Sequence, residues 1–146
     1  MKFYQGKYTP INPDKYVGDV TNIQYRSGWE KKAMIFFDTT PSILKWNSEE
    51  VVVPYISPVD GKAHRYFPDF LVQYQTKTGE IKKMMVEIKP LAQCNPPKQK
   101  KQTKRMINEV ATYLVNQAKW AAAELYCKKH GLEFKVLTER DLGITK

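Results

Sequence analysis

The sequence predicts an α/β domain in the order helix, three strands, helix, strand, with a mixed sheet whose central hairpin packs between helices. Three observations carry this prediction. A capping-box pattern opens a helix at Ser27, two alternating apolar runs flank Lys77-Thr78-Gly79-Glu80, and a helical period runs from about Thr103 until Gly131 breaks it.

The first 24 residues hold Pro10 and Pro13, several tyrosines and no sustained period, so they read as an extended arm packed by its aromatics ahead of a core over 25–142. Ser27 is an N-cap with Glu30 three residues on, and Trp29, Ala33 and Phe36 or Phe37 form an apolar stripe that Pro41 ends by about Thr40. Glu50 to Ile56 is a β-branched run whose Pro54 suggests a strand at an edge or with a break, and Asp60-Gly61 is a turn signal. Strands over Arg65 to Gln75 and Ile81 to Lys89 then form the hairpin. In the second, Met84, Val86 and Ile88 share one face and Met85, Glu87 and Lys89 the other, until Pro90 stops it. Asn95-Pro96-Pro97 opens a loop into the long helix of Thr103 to His130. Its predicted buried stripe is Met106, Val110, Leu114, Ala118 with Ala121, and Leu125, with Tyr113 and Trp120 as core aromatics. Gly131 is placed as a C′ residue, and Glu133 to Thr138 alternates as the last strand.

At 146 residues and 42% hydrophobic content, the chain suits a single domain over 1–146. No apolar run approaches the roughly 20 residues of a membrane span, and the start lacks an apolar signal core, which predicts a cytoplasmic protein with no membrane partner. Cys94 and Cys127 stand 33 apart and His64 and His130 are isolated, so the donors for a structural zinc site are missing.

The net charge of +9 points to a polyanionic partner, and its distribution is uneven. Residues 1–73 carry 9 basic and 8 acidic side chains, whereas residues 74–146 carry 15 and 7, so the second half holds 8 of the 9 excess charges. The densest piece is Lys98, Lys100, Lys101, Lys104 and Arg105, which reads either as a solvated basic linker or as a segment that contacts phosphates.

The hairpin contains Pro68-Asp69 on one strand and Glu87-Ile88-Lys89 on the other. Two carboxylates at one sheet position suit a hard divalent ion, most naturally Mg²⁺. A lysine two residues after the glutamate leaves the same face and can assist a water nucleophile or stabilise charge on an attacked phosphate. Glu30 can reach the same spot, although closing the cap with Ser27 explains its position equally well. Arg26 can pair with a phosphate or with a neighbouring acid. Glu49 and Glu50 read as surface residues, with Glu50 the one able to stand near a metal.

These residues resemble the PD-(D/E)XK nuclease superfamily, whose restriction-endonuclease-like core has the αβββαβ order. Arg26-Ser27-Gly28-Trp29-Glu30, Pro54-Tyr55, Tyr66-Phe67-Pro68-Asp69-Phe70 and Val86-Glu87-Ile88-Lys89 are similar to the TnsA-type transposon endonuclease domain and its phage relatives. The segments Lys2 to Tyr8 and Lys45 to Glu50 resemble the head-completion nuclease family of T-even-type bacteriophages, and that similarity spans nearly the whole chain.

The resemblance implies a Mg²⁺-dependent DNA endonuclease, with Mn²⁺ as a substitute, in which Asp69, Glu87 and Glu30 bind metal and Lys89 is the catalytic lysine. It implies DNA of low sequence specificity as the substrate, with Arg26 and the basic residues from Lys98 to Arg105 on its backbone. Gln117 and Lys119 are further candidates on the following helix, although Ala121 stands where one large branch carries a tyrosine. The implied setting is phage head completion: packaged DNA ends, capsid or portal-vertex proteins as partners, the host cytoplasm as the place and the virion head as a destination. The alternative is a structural head-completion protein that binds DNA ends or the portal vertex without catalysis.

Overall fold

A computed structural model describes residues 5–98 and 103–143. The arm forms a short strand β1 (Gly6–Lys7) paired with β2 (Gln24–Tyr25), with a single 3₁₀ turn (Pro13–Lys15) between them. Helix α1 spans Gly28–Thr39. Ser27 caps it through Oγ, which accepts from the Glu30 amide at 3.1 Å.

The central sheet has four strands in the order β3 (Ile43–Ser48), β6 (Phe70–Gln75), β7 (Ile81–Ile88), β8 (Glu133–Leu137). The first three pair antiparallel and β7 pairs parallel with β8, so the sheet is mixed as the sequence predicts. The parallel return runs through a four-residue helix α2 (Leu91–Cys94) and the long helix α3 (Lys104–His130). Gly131 ends α3 at φ 69°, where both its own N–H and that of Leu132 reach the Cys127 carbonyl.

Two strands differ from the sequence reading. The outer strand beside β6 is Ile43–Ser48. The β-branched run before Ile56 supplies instead β4 (Val53–Ile56), which forms a separate two-stranded ribbon with β5 (Ala63–Tyr66). The strand expected over Arg65 to Gln75 is therefore two strands, broken at Phe67-Pro68-Asp69. Proline has no N–H to give to a ladder, so pairing stops at Pro68 and resumes at Phe70 in a new partnership.

The two faces of β7 fill two cores, and the alternation read from the sequence is the reason. Val86 and Ile88 join Ala33, Met34 and Phe37 of α1 with Trp46 and Phe70, whereas Met85 joins Trp120, Ala123 and Cys127 of α3 with Val53 and Tyr66. The arm closes the first core as expected. Tyr16 and Tyr8 meet Trp46 at ring separations of 4.8 and 6.1 Å, and buried Asp38 accepts hydrogen bonds from the Tyr8 hydroxyl and the backbone amides of Ile11 and Asn12.

The buried line of α3 is not the predicted one. Asn116, Trp120, Ala123 and Cys127 are buried, while Leu114 is 47% and Leu125 71% exposed. The two lines lie two residues apart, roughly 200° around a helix. α3 carries two apolar lines, and the sheet takes the one with the indole and the two small side chains, which let the helix approach β4 closely. Helical spacing cannot rank two such lines. Urea titration should show Trp120→Ala costing about 3–5 kcal/mol and Leu125→Gln within about 0.5 kcal/mol of wild type; the reverse order would restore the predicted register.

Candidate active site

Sheet register brings the acids together. β3 and β6 pair Ser48 with Phe70, and β6 and β7 pair Phe70 with Val86. One step further along both ladders puts Glu49 beside Asp69 and Asp69 opposite Glu87. Directly opposed residues hold their Cβ atoms within about 5 Å, so three carboxylates stand in a row across the sheet end. The Glu49 amide donates to the Asp69 carbonyl at 3.1 Å, and the Ile88 amide donates to Asp69 Oδ2 at 2.7 Å. Asp69 therefore sits in the break between β5 and β6, just outside the strand on which the sequence reading had placed it. Its carboxylate supplies the acceptor that the interrupted ladder no longer provides.

Glu30 reaches the row from the first turn of α1. Single carboxylate oxygens of Glu30, Glu49 and Asp69 lie within 4.8 Å of one another. Glu30 also closes the cap, since Ser27 Oγ accepts from its amide and stands 3.4 Å from its Oε2. Burial raises the Glu30 carboxyl above its ordinary pKa, and Glu49 adds to this. Burial, then the neighbouring Glu87, push Asp69 well above the usual carboxylate range despite the Ile88 hydrogen bond. Crowded carboxylates held part-way out of water are what a hard cation relieves, and all-oxygen donors match Mg²⁺ chemistry. The side chains present fit such an ion.

Lys89 lies where its strand face requires, with Nζ 3.8 Å from Glu87 Oε2 and its side chain 26% exposed. Arg26 meets an acid, Glu49 Oε2 at 3.0 Å, and its largely exposed side chain is free to leave it. Arg26, Glu49, Arg65, Tyr66, Phe67, Asp69, Glu87 and Lys119 line one hollow of about 440 Å³. Lys119 Nζ stands over the rings of Tyr55 and Tyr66 at 5.9 and 5.7 Å from their centroids.

Of the other predicted residues, Gln117 is half-buried on α3 and does not line this hollow. Lys104 and Arg105 are exposed in the first turn of α3 and Lys98 is exposed beyond α2, while Lys100 and Lys101 lie outside the described residues. Glu50 is exposed and absent from the carboxylate cluster; Glu49, which the sequence reading left on the surface, takes that place. Its φ of 56° turns the chain at the end of β3, a conformation that no residue preference announces for glutamate.

Tyr66 was also missed. It is 4% exposed and lines the same hollow, and its buried hydroxyl has no hydrogen-bond partner of good geometry. Burial and nearby Glu87 raise its pKa, so it stays a neutral phenol. Its only sequence signal was its place in Tyr66-Phe67-Pro68-Asp69-Phe70.

The TnsA-like endonuclease N-terminal family model matches residues 40–139, which include β3 to β8 and three of the four acids. The head completion nuclease of Enterobacteria phage T4 is 39% identical over 144 residues, covering 95% of this chain and 93% of that protein. A family match over more than half the chain, together with this relative, makes the conclusion direct: the chain belongs to the TnsA-like endonuclease family.

Proposed function

We propose that the protein is a Mg²⁺-dependent DNA endonuclease, able to use Mn²⁺, that hydrolyses phosphodiesters during phage head completion. The observation that carries this reading is the row Glu49, Asp69, Glu87 at the sheet end with Glu30 above it and Lys89 beside it. Asp69, Glu30 and Glu49 would hold the cation, with Glu87 next to them. An ion held there would supply positive charge against the phosphate and lower the pKa of water.

The chain's own groups do the rest. Glu87 holds the Lys89 ammonium at the site, where it orients the incoming water and balances charge that develops on the phosphate. Lys119 and Arg65 supply cations to the flanking phosphates, and Arg26 can exchange Glu49 for a phosphate oxygen. Lys98, Lys104 and Arg105 extend this basic path, while Gln117 stands back from it. Contacts of this kind read phosphate rather than base, so cleavage has little sequence preference and falls steeply with salt.

The near full-length match to the T4 protein supports the setting. The chain acts on packaged DNA ends at the capsid or portal vertex before tail joining, in the host cytoplasm, and can remain with the virion head. Among the described residues no helix is long and apolar enough to cross a membrane.

Two measurements test this proposal. Purified protein should nick plasmid and degrade linear DNA with Mg²⁺ or Mn²⁺, and Lys89→Ala and Asp69→Ala should each lose at least about 100-fold in rate; undiminished cleavage in the variants would remove these residues from the site. The second concerns protons. Between the ordinary carboxylate pKa of about 4 and the raised Asp69 value, the folded chain binds more protons than the unfolded chain, so the metal-free protein loses stability as pH rises through that window. In EDTA at pH 8, Asp69→Asn should melt above wild type, and the gap should close near pH 4. Added Mg²⁺ should raise the wild-type melting temperature at pH 8 and leave Asp69→Asn unmoved. A gap independent of pH would sink the assignment of Asp69 as the strained carboxylate.

A further inference from the structure

A second cavity, of about 660 Å³, opens between α3 and the segment that follows Lys89. The strand carrying Glu87 and Lys89 runs through Pro90 into α2, and Gln93 and Asn95 of that stretch form one wall. The other wall is α3, from Lys104 and Arg105 at the helix start to Asn116. Asn116 lies three residues before Lys119, which lines the hollow holding Asp69 and Glu87. Three residues rise about 4.5 Å and share one helix face, so the cavity adjoins the site along α3.

Its chemistry is graded from mouth to floor. Lys104 and Arg105 are exposed cations at the mouth, with Arg105 Nε paired to Glu109 at 3.1 Å. Asn108 and Thr112 offer an amide and a hydroxyl along the side. Tyr113, which the sequence reading placed in the core, is half-buried and presents to the cavity instead. Asn116 is 4% exposed, and its Nδ2 has no hydrogen-bond partner, a donor whose burial costs free energy while it stays unmatched.

Cations at a mouth, a ring on the wall and amides, one of them recessed, are the groups that hold a phosphate, stack a base and read its edge. The volume lies within the range of about 300–1,000 Å³ typical of ligand sites. A paired base cannot enter, because stacking and pairing keep its edge inside the duplex. We propose that this cavity binds one unpaired nucleotide of the DNA strand beside the cleavage site, so that the enzyme prefers ends and junctions with single-stranded flanks to intact duplex. The inference deepens the nuclease reading and rests on it.

Binding without cleavage tests it, with the full chain in EDTA and two labelled DNAs, a blunt duplex and the same duplex with a short single-stranded overhang. Wild type should bind the overhang about tenfold more tightly, as expected for one stacked base. 2-Aminopurine in the overhang should be quenched on binding. Tyr113→Leu and Asn108→Ala should lose the preference and the quenching while keeping wild-type affinity for blunt duplex and a wild-type circular dichroism melt. Asn116→Leu, which removes the unmatched donor, should do the same. Equal affinity for the two DNAs, or a preference that survives Tyr113→Leu and Asn116→Leu, would falsify the proposal. Metal-dependent cleavage alongside equal affinities would end this inference alone. Overhang preference with no cleavage under any divalent metal would end the catalytic reading and leave the nucleotide site standing.

Discussion

The hydrogen bond from the Ile88 amide to Asp69 is the constraint on which the site depends. Pro68 stops the β5 ladder, and the chain must restart at Phe70 in a different sheet without leaving a buried amide of β7 unmatched. The Asp69 carboxylate answers that amide. In doing so it fixes its own position between β3 and β7, where register then supplies Glu49 on one side and Glu87 on the other. Had the ladder run on unbroken, the amide would have a backbone partner and the aspartate would be free to turn elsewhere. The break that ends the strand thus sets the geometry that a cation can use.

Such an arrangement opposes folding. Asp69 and Glu30 are held as carboxyls with raised pKa, and Glu49 occupies a left-handed backbone conformation of a kind that costs about 1–3 kcal/mol. The offset lies directly behind the site. Trp46, Phe37 and Phe70 meet at ring separations of 5.1 to 6.3 Å, with Tyr8 and Tyr16 closing the cluster from the arm. Asp38 draws the arm down through one tyrosine hydroxyl and two backbone amides. Phe70 belongs to that core and directly follows Asp69, so the residue next to the raised carboxyl is anchored among the buried aromatics.

What could be read from the sequence follows from what each signal encodes. The Ser27 cap, the Gly131 terminator and the two faces of β7 are local events, and the structure has each where its residues put it. The Asp69, Glu87 and Lys89 grouping was legible because an antiparallel hairpin with a short turn leaves few registers. The outer strand was not. Ile43–Ser48 contains Lys45, Asn47 and Ser48, and it is a strand because Trp46 fills the core and its backbone pairs with β6, a tertiary reason that propensity does not carry. The β-branched run after it scored better as a strand and became one, in a different sheet. Glu49 followed the same logic, since its place depends on which strand stands beside β6.

The start of α3 departs from local preference. A helix N-terminus favours acids, because its free amides carry partial positive charge. Here the first turn holds Lys104 and Arg105 and no acid. The Thr103 hydroxyl, accepting from the Met106 amide, and the Arg105–Glu109 pair recover part of the loss. Helix stability alone would put glutamate at those positions. Departures from local preference are the left-handed Glu49, the crowded acids and the mispolarised start of α3, alongside the strand Ile43–Ser48 that its core tryptophan holds in place. The helix forgoes a stabilising first turn, and under the nuclease reading proposed above a phosphate of the DNA would supply the missing negative charge.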